Sequence, residues 1–322
     1  MADVQEGQQR PEPAETIEPQ DAEDDTDASS LDGASDTDSL KSSIRDYRRE
    51  NGRTYHSVSD GNMQHHCWQL TWDDKLCMSP KKDGANRVVD VGTGTGIWAM
   101  DYGESFRMSC GVPPNCRFEI DDVEKEWTWQ EPFDFIFARH MNACFASWEK
   151  FLKQAYDNLE PGGYIELQDN AFPILCGDGT LKPDDAMARW STLMMEGTEL
   201  IGRPITAPAD FRRLLGEAGF EDVVEHRRVW PTSPWPKDEA LRRLGFWTQA
   251  CSLDGVEPGA LALFTRVLGW TREEVLVFIA GVRKDFWNRD IHAYWNVYSV
   301  HGRKPLKKKP TTPTPPPSAP LE

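Results

Sequence analysis

The stretch from Arg87 to Trp98 constrains this chain more than any other. Its β-branched run, residues 87–91, reads as a short strand that carries an acid, Asp90, next to its end. Glycines follow at alternate positions, Gly92, Gly94 and Gly96, and a helical run continues from Ile97 to about Phe106. Strand, glycine turn and helix is the way a Rossmann-type sheet receives a nucleotide-like ligand. The glycines let the backbone turn sharply and let a ligand approach without meeting a Cβ. The spacing G-x-G-x-G differs from the dinucleotide pattern G-x-G-x-x-G. A pyrophosphate wants bare helix N–H groups, whereas an acid beside the turn suits a ligand that carries an ammonium group.

Around this turn the pattern alternates. We expect a helix over 64–76, strands over 87–91, 117–120 and 133–138, and a helix over 148–159 closed by Pro161-Gly162-Gly163. A strand over 164–168 follows, then helices over 184–201 and 207–218 and a strand over 220–230. Helices over 237–252, 258–268 and 272–289 lead to a last strand over 292–300. Strands alternating with helices imply an α/β fold, a mostly parallel sheet covered on both faces.

Charge and cysteine use narrow the class. The net charge is −17, and residues 1–40 hold thirteen acids against one base, Arg10. The folded part is therefore only mildly acidic, with no basic footprint for nucleic acid. Residues 1–45 carry few large apolar side chains and are expected to be a disordered tail. The Lys/Pro-rich stretch 304–322 is expected to be another. Seven scattered cysteines with no C-x-x-C pair argue for reduced thiols, and no metal site is expected. No apolar run reaches the ~20 residues of a membrane span, so the expected setting is cytoplasmic or nuclear.

The order of motifs resembles that of the fungal LaeA-like class I S-adenosylmethionine-dependent methyltransferases. The resemblance is carried by Tyr55-His56-Ser57, Gln64-His65-His66, the Gly92–Trp98 turn, Phe118-Glu119-Ile120-Asp121-Asp122, Trp127-Thr128-Trp129, Phe133-Asp134-Phe135-Ile136 and Leu159-Glu160-Pro161-Gly162-Gly163. It spans about residues 53–303. It implies a seven-stranded type of sheet, here about one strand plus loop short, and a methyltransferase domain over 46–303. Within that domain it implies an N-terminal helical cap at 46–80 and a helical lid insertion at 230–290. It also implies S-adenosylmethionine as cofactor, a small-molecule or protein methyl acceptor, and a role in secondary metabolism. A second reading is a regulator that works through protein partners, with weak or lost cofactor binding.

On this resemblance Asp90, Gly92, Thr93, Gly94 and Gly96 hold the methionine end of the cofactor. The acid that should grip the ribose poses a difficulty, because Phe106 runs almost directly into Val112-Pro113-Pro114. If the strand 117–120 keeps its family place, the ribose acid is gone and Asp121 and Asp122 flank the adenine. If that strand slides inward, Asp121 serves the ribose. Arg139 and His140 follow the 133–138 strand at its carboxyl edge, where ligands of open α/β sheets sit. His140 is the candidate general base. Gln168 and Asp169 end the next strand on the same edge, and Glu166 is expected to face a helix.

Overall fold

In the computed structural model the described residues are 17–20, 47–50, 53–56, 63–104 and 115–306. Most of both expected tails, and the shortened stretch after Glu104, lie outside them. A hairpin, β1 (Tyr47–Glu50) with β2 (Arg53–His56), precedes α1 (Met63–Thr71). Then come β3 (Val88–Val91), α2 (Ile97–Glu104), β4 (Phe133–Arg139), α3 (Trp148–Asp157), β5 (Leu159–Asn170) and β6 (Leu175–Cys176). The chain continues through α4 (Ala186–Leu200), α5 (Phe211–Glu217), β7 (Glu221–Pro231), α6 (Glu239–Arg266), α7 (Arg272–Trp287) and β8 (Ala293–Arg303).

The main sheet has six strands in the order β3-β4-β5-β8-β6, with β7 also on β8. The pairs β3–β4 and β4–β5 are parallel, with Val89 beside Ile136 and Ile136 beside Ile165. Strand β8 runs antiparallel to β5, since Gly162 bonds to Lys304 at one end and Ala171 to Asn296 at the other. The α/β class is thus as expected. The strand expected over 117–120 is a loop instead. No described strand pairs with the outer edge of β3, so this strand sits at the rim.

The chain forms two compact units. One is built on residues 75–170, 207–227 and 298 onward and carries β3, β4 and β5. Here α2 packs on the sheet through Trp98, which stacks on Phe137 at 3.8 Å and on Tyr102 at 4.8 Å. The other sheet face takes α3, whose Phe151, Leu152 and Ala155 are buried at helical spacing. Ser147 caps α3, its hydroxyl accepting the Lys150 N–H at 3.1 Å.

Two buried acids fix how the chain enters β3. Glu166 in mid-β5 has no exposure. Its carboxylate accepts the N–H of Met78 (2.8 and 3.0 Å) and of Ser79 (2.8 Å). It also accepts the Gln168 amide at 2.8 Å and the Ser299 hydroxyl at 2.8 Å. Glu166 therefore faces the 78–79 loop and not a helix, because a buried carboxylate needs hydrogen-bond donors and a helix side offers its backbone N–H groups to itself. Asp134 at the foot of β4 accepts the N–H of Asn86 and of Arg87, both at 2.9 Å.

The second unit is built on residues up to 74, 171–206 and 228–297, and is mainly helical. The two helices expected over 237–252 and 258–268 are one, α6, with Pro258 inside it. A mid-helix proline costs about 3 kcal/mol. Burial of Val256, Ala260 and Phe264 around that point offsets it. Thr271 and Glu274 form a capping box on α7. Trp230, Trp235 and Trp247 are buried, so these aromatics serve the packing of this unit. Within the stretch expected to be a disordered tail, residues 17–20 bridge onto 235–237. The Gln20 N–H donates to the Trp235 carbonyl at 3.0 Å and the Lys237 N–H to the Glu18 carbonyl at 2.9 Å.

Replacing Glu166 by Ala strands the Met78 and Ser79 N–H groups in a dry interior. At roughly 1–3 kcal/mol per orphaned donor, Glu166→Ala should lower the unfolding free energy by about 3 kcal/mol or more. Urea titration of both proteins measures this. An unchanged midpoint would show that the Glu166 contacts do not hold the sheet.

Candidate cofactor site at the carboxyl edge of the sheet

The glycine turn joins β3 to α2, and all three glycines have positive φ: +71° at Gly92, +56° at Gly94 and +82° at Gly96. The Gly96 N–H closes the turn on the Thr93 carbonyl at 2.9 Å, and the Gly96 carbonyl accepts from Met100 to begin the helix. The glycines differ in what surrounds them. A Cβ on Gly92 would collide with Met141 Sδ, and one on Gly96 would come within 2.7 Å of the Phe118 ring. Internal packing explains those two. A Cβ on Gly94 would meet nothing nearer than the Gly92 carbonyl at 3.9 Å, so the backbone there is open to a ligand.

Beneath the turn lies Asp90. Its Oδ2 is buried with the Thr93 hydroxyl beside it, and neither atom has a hydrogen bond of full geometry. Burial pushes the Asp90 pKa up to about 6, with the Thr93 hydroxyl and the Arg139 guanidinium opposing that rise. Arg139 closes β4 and lies over the Phe137 ring at 5.9 Å. Its own burial pulls its pKa down to about 10, against the attraction of Asp90 and Asp101. The structure therefore brings Asp90, Thr93 and Arg139 together.

His140 follows at φ +59°, its N–H donating to the Gln168 carbonyl at 2.8 Å. Of its side chain 38% is exposed. Its Nδ1 lies 3.7 Å from Asp169 Oδ1. Burial of the ring's inner edge and the neighbouring Arg139 charge lower the His140 pKa. Asp169 is buried, and its Oδ2 accepts the Met141 N–H at 2.7 Å. Burial pushes its pKa up to about 8 against the pull of the Met141, Asn170 and Asn142 backbone bonds. Asp101 and Met141 were not singled out by the sequence. Met141 directly follows Arg139-His140, the one signal that could have found it.

Asp121 lines one cavity with Asp90, Gly92 and Thr93, and Asp122 follows it in the chain. Both are exposed in the 115–123 loop, where Asp121 Oδ1 accepts the Asp122 N–H at 2.8 Å. Asp122 accepts the Glu124 N–H at 3.1 Å in a local turn. The loop runs beside a cavity of about 740 Å³ that follows β3 from Ala85 to Gly92 and is walled by Trp98, Tyr102, Phe118 and Trp129. The cavity occupies the side of β3 on which no described strand pairs.

A profile of the methyltransferase domain matches residues 63–226. The chain belongs to this methyltransferase family. "Methyltransferase pytC" of Aspergillus terreus is 36% identical over 308 residues, covering 87% of this chain and 95% of that protein. "Probable methyltransferase tdiE" of Emericella nidulans is 31% identical, covering 76% of this chain and 80% of that one. "Secondary metabolism regulator laeA" of Aspergillus fumigatus is 31% identical, covering 80% and 77%. The fold is accordingly the class I Rossmann-like methyltransferase fold. Among the described residues no group of three or more His, Cys, Asp or Glu side chains could hold a metal, and no helix is long and apolar enough to cross a membrane.

The raised pKa of Asp90 has a pH signature. The folded state holds this proton more tightly than the unfolded chain, whose value is 3.8. Stability should therefore be highest below about pH 4 on this account, and should fall as pH rises to about 6. Asp90→Asn removes that slope. Denaturant titrations at intervals from pH 4 to 7 compare the two proteins, and parallel curves would show that Asp90 is not desolvated.

Proposed function

We propose that this chain is an S-adenosylmethionine-dependent methyltransferase of fungal secondary metabolism. It would pass a methyl group to a small-molecule or protein acceptor by direct in-line displacement. One observation supports this reading above the others: the carboxylate of Asp90, whose buried Oδ2 has no hydrogen bond of full geometry, lies near an open glycine, Gly94. That pairing suits the ammonium and backbone-like end of the cofactor's methionine. Asp90, Thr93, Gly92, Gly94 and Gly96 would hold that end, and Arg139 would keep Asp90 ionised. When bound, the sulfonium supplies an electrophilic methyl. The chain then needs mainly to hold the acceptor in line with it. His140, with its side chain partly exposed and its pKa lowered, is free to take a proton from an acceptor hydroxyl or amine near neutral pH.

The ribose end fits less well. Among the described residues no strand lies along the outer side of β3 to carry a ribose acid, the buried Asp134 on β4 is taken up by the Asn86 and Arg87 N–H groups, and Asp121 and Asp122 are exposed on a loop. A lost bidentate charged contact is worth roughly 2–4 kcal/mol, or about 30- to 1,000-fold in affinity. The open rim of β3 favours a second reading, a regulator related to laeA that works through partner proteins with weak cofactor binding.

Calorimetric titration of the full chain with S-adenosylmethionine tests the proposal. We expect saturable binding that Gly94→Val abolishes, since a branched Cβ fills the open approach. Asp90→Asn should weaken it about tenfold or more, the scale of one charged hydrogen bond. Asp121→Asn should change it far less. A folded protein that gives no heat at millimolar cofactor would remove the enzymatic reading and leave the regulatory one.

A further inference from the structure

We propose that Cys67 and Cys251 are a modification site: a thiol pair that a hydroperoxide converts to a disulfide joining α1 to α6. The two residues are 184 positions apart in sequence, yet their sulfurs lie 3.7 Å from each other within the helical unit. Cys67 sits in the core at 1% exposure, and Cys251 is partly exposed. The neighbours hold the approach in place. His66 packs edge-on against Trp247 of α6 at 4.8 Å, and Trp68 against Trp230 at 4.7 Å. The Trp230 indole donates to the Thr71 hydroxyl at 2.6 Å. Helix α1 is thus pinned on both sides of Cys67. A disulfide has sulfurs about 2.05 Å apart, so the pair needs to close by only about 1.7 Å, within reach of a χ1 adjustment.

The other described cysteines lack this arrangement. Cys77 is fully buried, and burial pushes its thiol pKa well above the ordinary range. Cys176 donates to the Asp178 carboxylate at 3.2 Å and accepts the Leu181 N–H. Cys144 is exposed and donates to the Asn142 carbonyl at 3.6 Å, and Cys116 donates to the Ala99 carbonyl at 3.4 Å.

Accessibility sets the order of events. The Cys251 sulfur, nearer to water, attacks the hydroperoxide, breaks its O–O bond and becomes a sulfenic acid while the alcohol, or water, departs. The Cys67 sulfur then attacks the sulfenyl sulfur. The S–S bond forms, the S–O bond breaks, and the hydroxide leaves as water with the Cys67 proton. Two thiols lose two electrons in total and the peroxide gains them. The hydrogen bond to Cys251 and burial raise the Cys67 pKa, which suits the resolving partner more than the first to react.

The test uses the full chain, reduced and then treated with hydrogen peroxide, unfolded in an alkylating agent and weighed. The reduced protein should take up seven alkyl groups, one per cysteine, and the oxidised protein five. A tryptic digest should contain the peptide 54–75 joined to the peptide 244–266, and reductant should release them. Oxidised wild type should unfold at a higher midpoint than reduced, and Cys251→Ser should lose both the link and the gain. Seven alkylated thiols after oxidation would overturn the proposal. So would a Cys251 sulfinic acid beside an alkylated Cys67, or linked peptides that pair other cysteines as often. The wild-type digest decides the matter even if Cys67→Ser does not fold.

Discussion

A fully buried carboxylate in the middle of a mixed sheet has to be met by donors that the fold itself supplies. Glu166 is met by the backbone of Met78 and Ser79 and by the side chains of Gln168 and Ser299. Asp134 does the same one strand away for Asn86 and Arg87. Together the two acids clamp the segment that feeds β3. The direction of β3, the place where it ends, and the turn that follows it are consequences of this clamp. The position of Asp90 is set at the same time.

Beyond that point the glycine turn divides into parts with separate reasons. Positive φ calls for glycine at all three positions, and Met141 lies against Gly92 and Phe118 against Gly96. Only Gly94 faces open space. A G-x-G-x-G pattern thus mixes packing with recognition, and a substitution at Gly92 or Gly96 would report on the first before the second. Asp90 differs from these packing positions, since its buried Oδ2 has no hydrogen bond of full geometry and only Thr93 and Arg139 beside it.

The turn and its flanking strand were legible in the sequence because β-branched residues, an acid and three spaced glycines each have few alternative uses. The strands 133–138 and 220–230 were legible for the same reason, as was the helix capped by Ser147. The run 117–120 read as a strand because Arg-Phe-Glu-Ile alternates at period two. Alternation fixes a strand only where a neighbour offers hydrogen bonds, and no described strand lies alongside. Pro258 read as a helix break because local cost was visible and the burial of Val256 and Phe264 was not. Glu166 read as facing a helix because nothing in a linear pattern shows that two backbone N–H groups from 88 residues upstream need an acceptor.

The rim position of β3 carries a further consequence for handling the protein. An apolar strand with an unpaired flank is a template on which strands of other molecules add, and natural proteins guard such flanks with charge or cover. Among the described residues the loop that carries Arg117, Glu119 and Asp121 lies along this flank across the cavity and brings charge to it. Substitutions that neutralise this loop are therefore expected to lower the concentration at which the purified chain stays monodisperse.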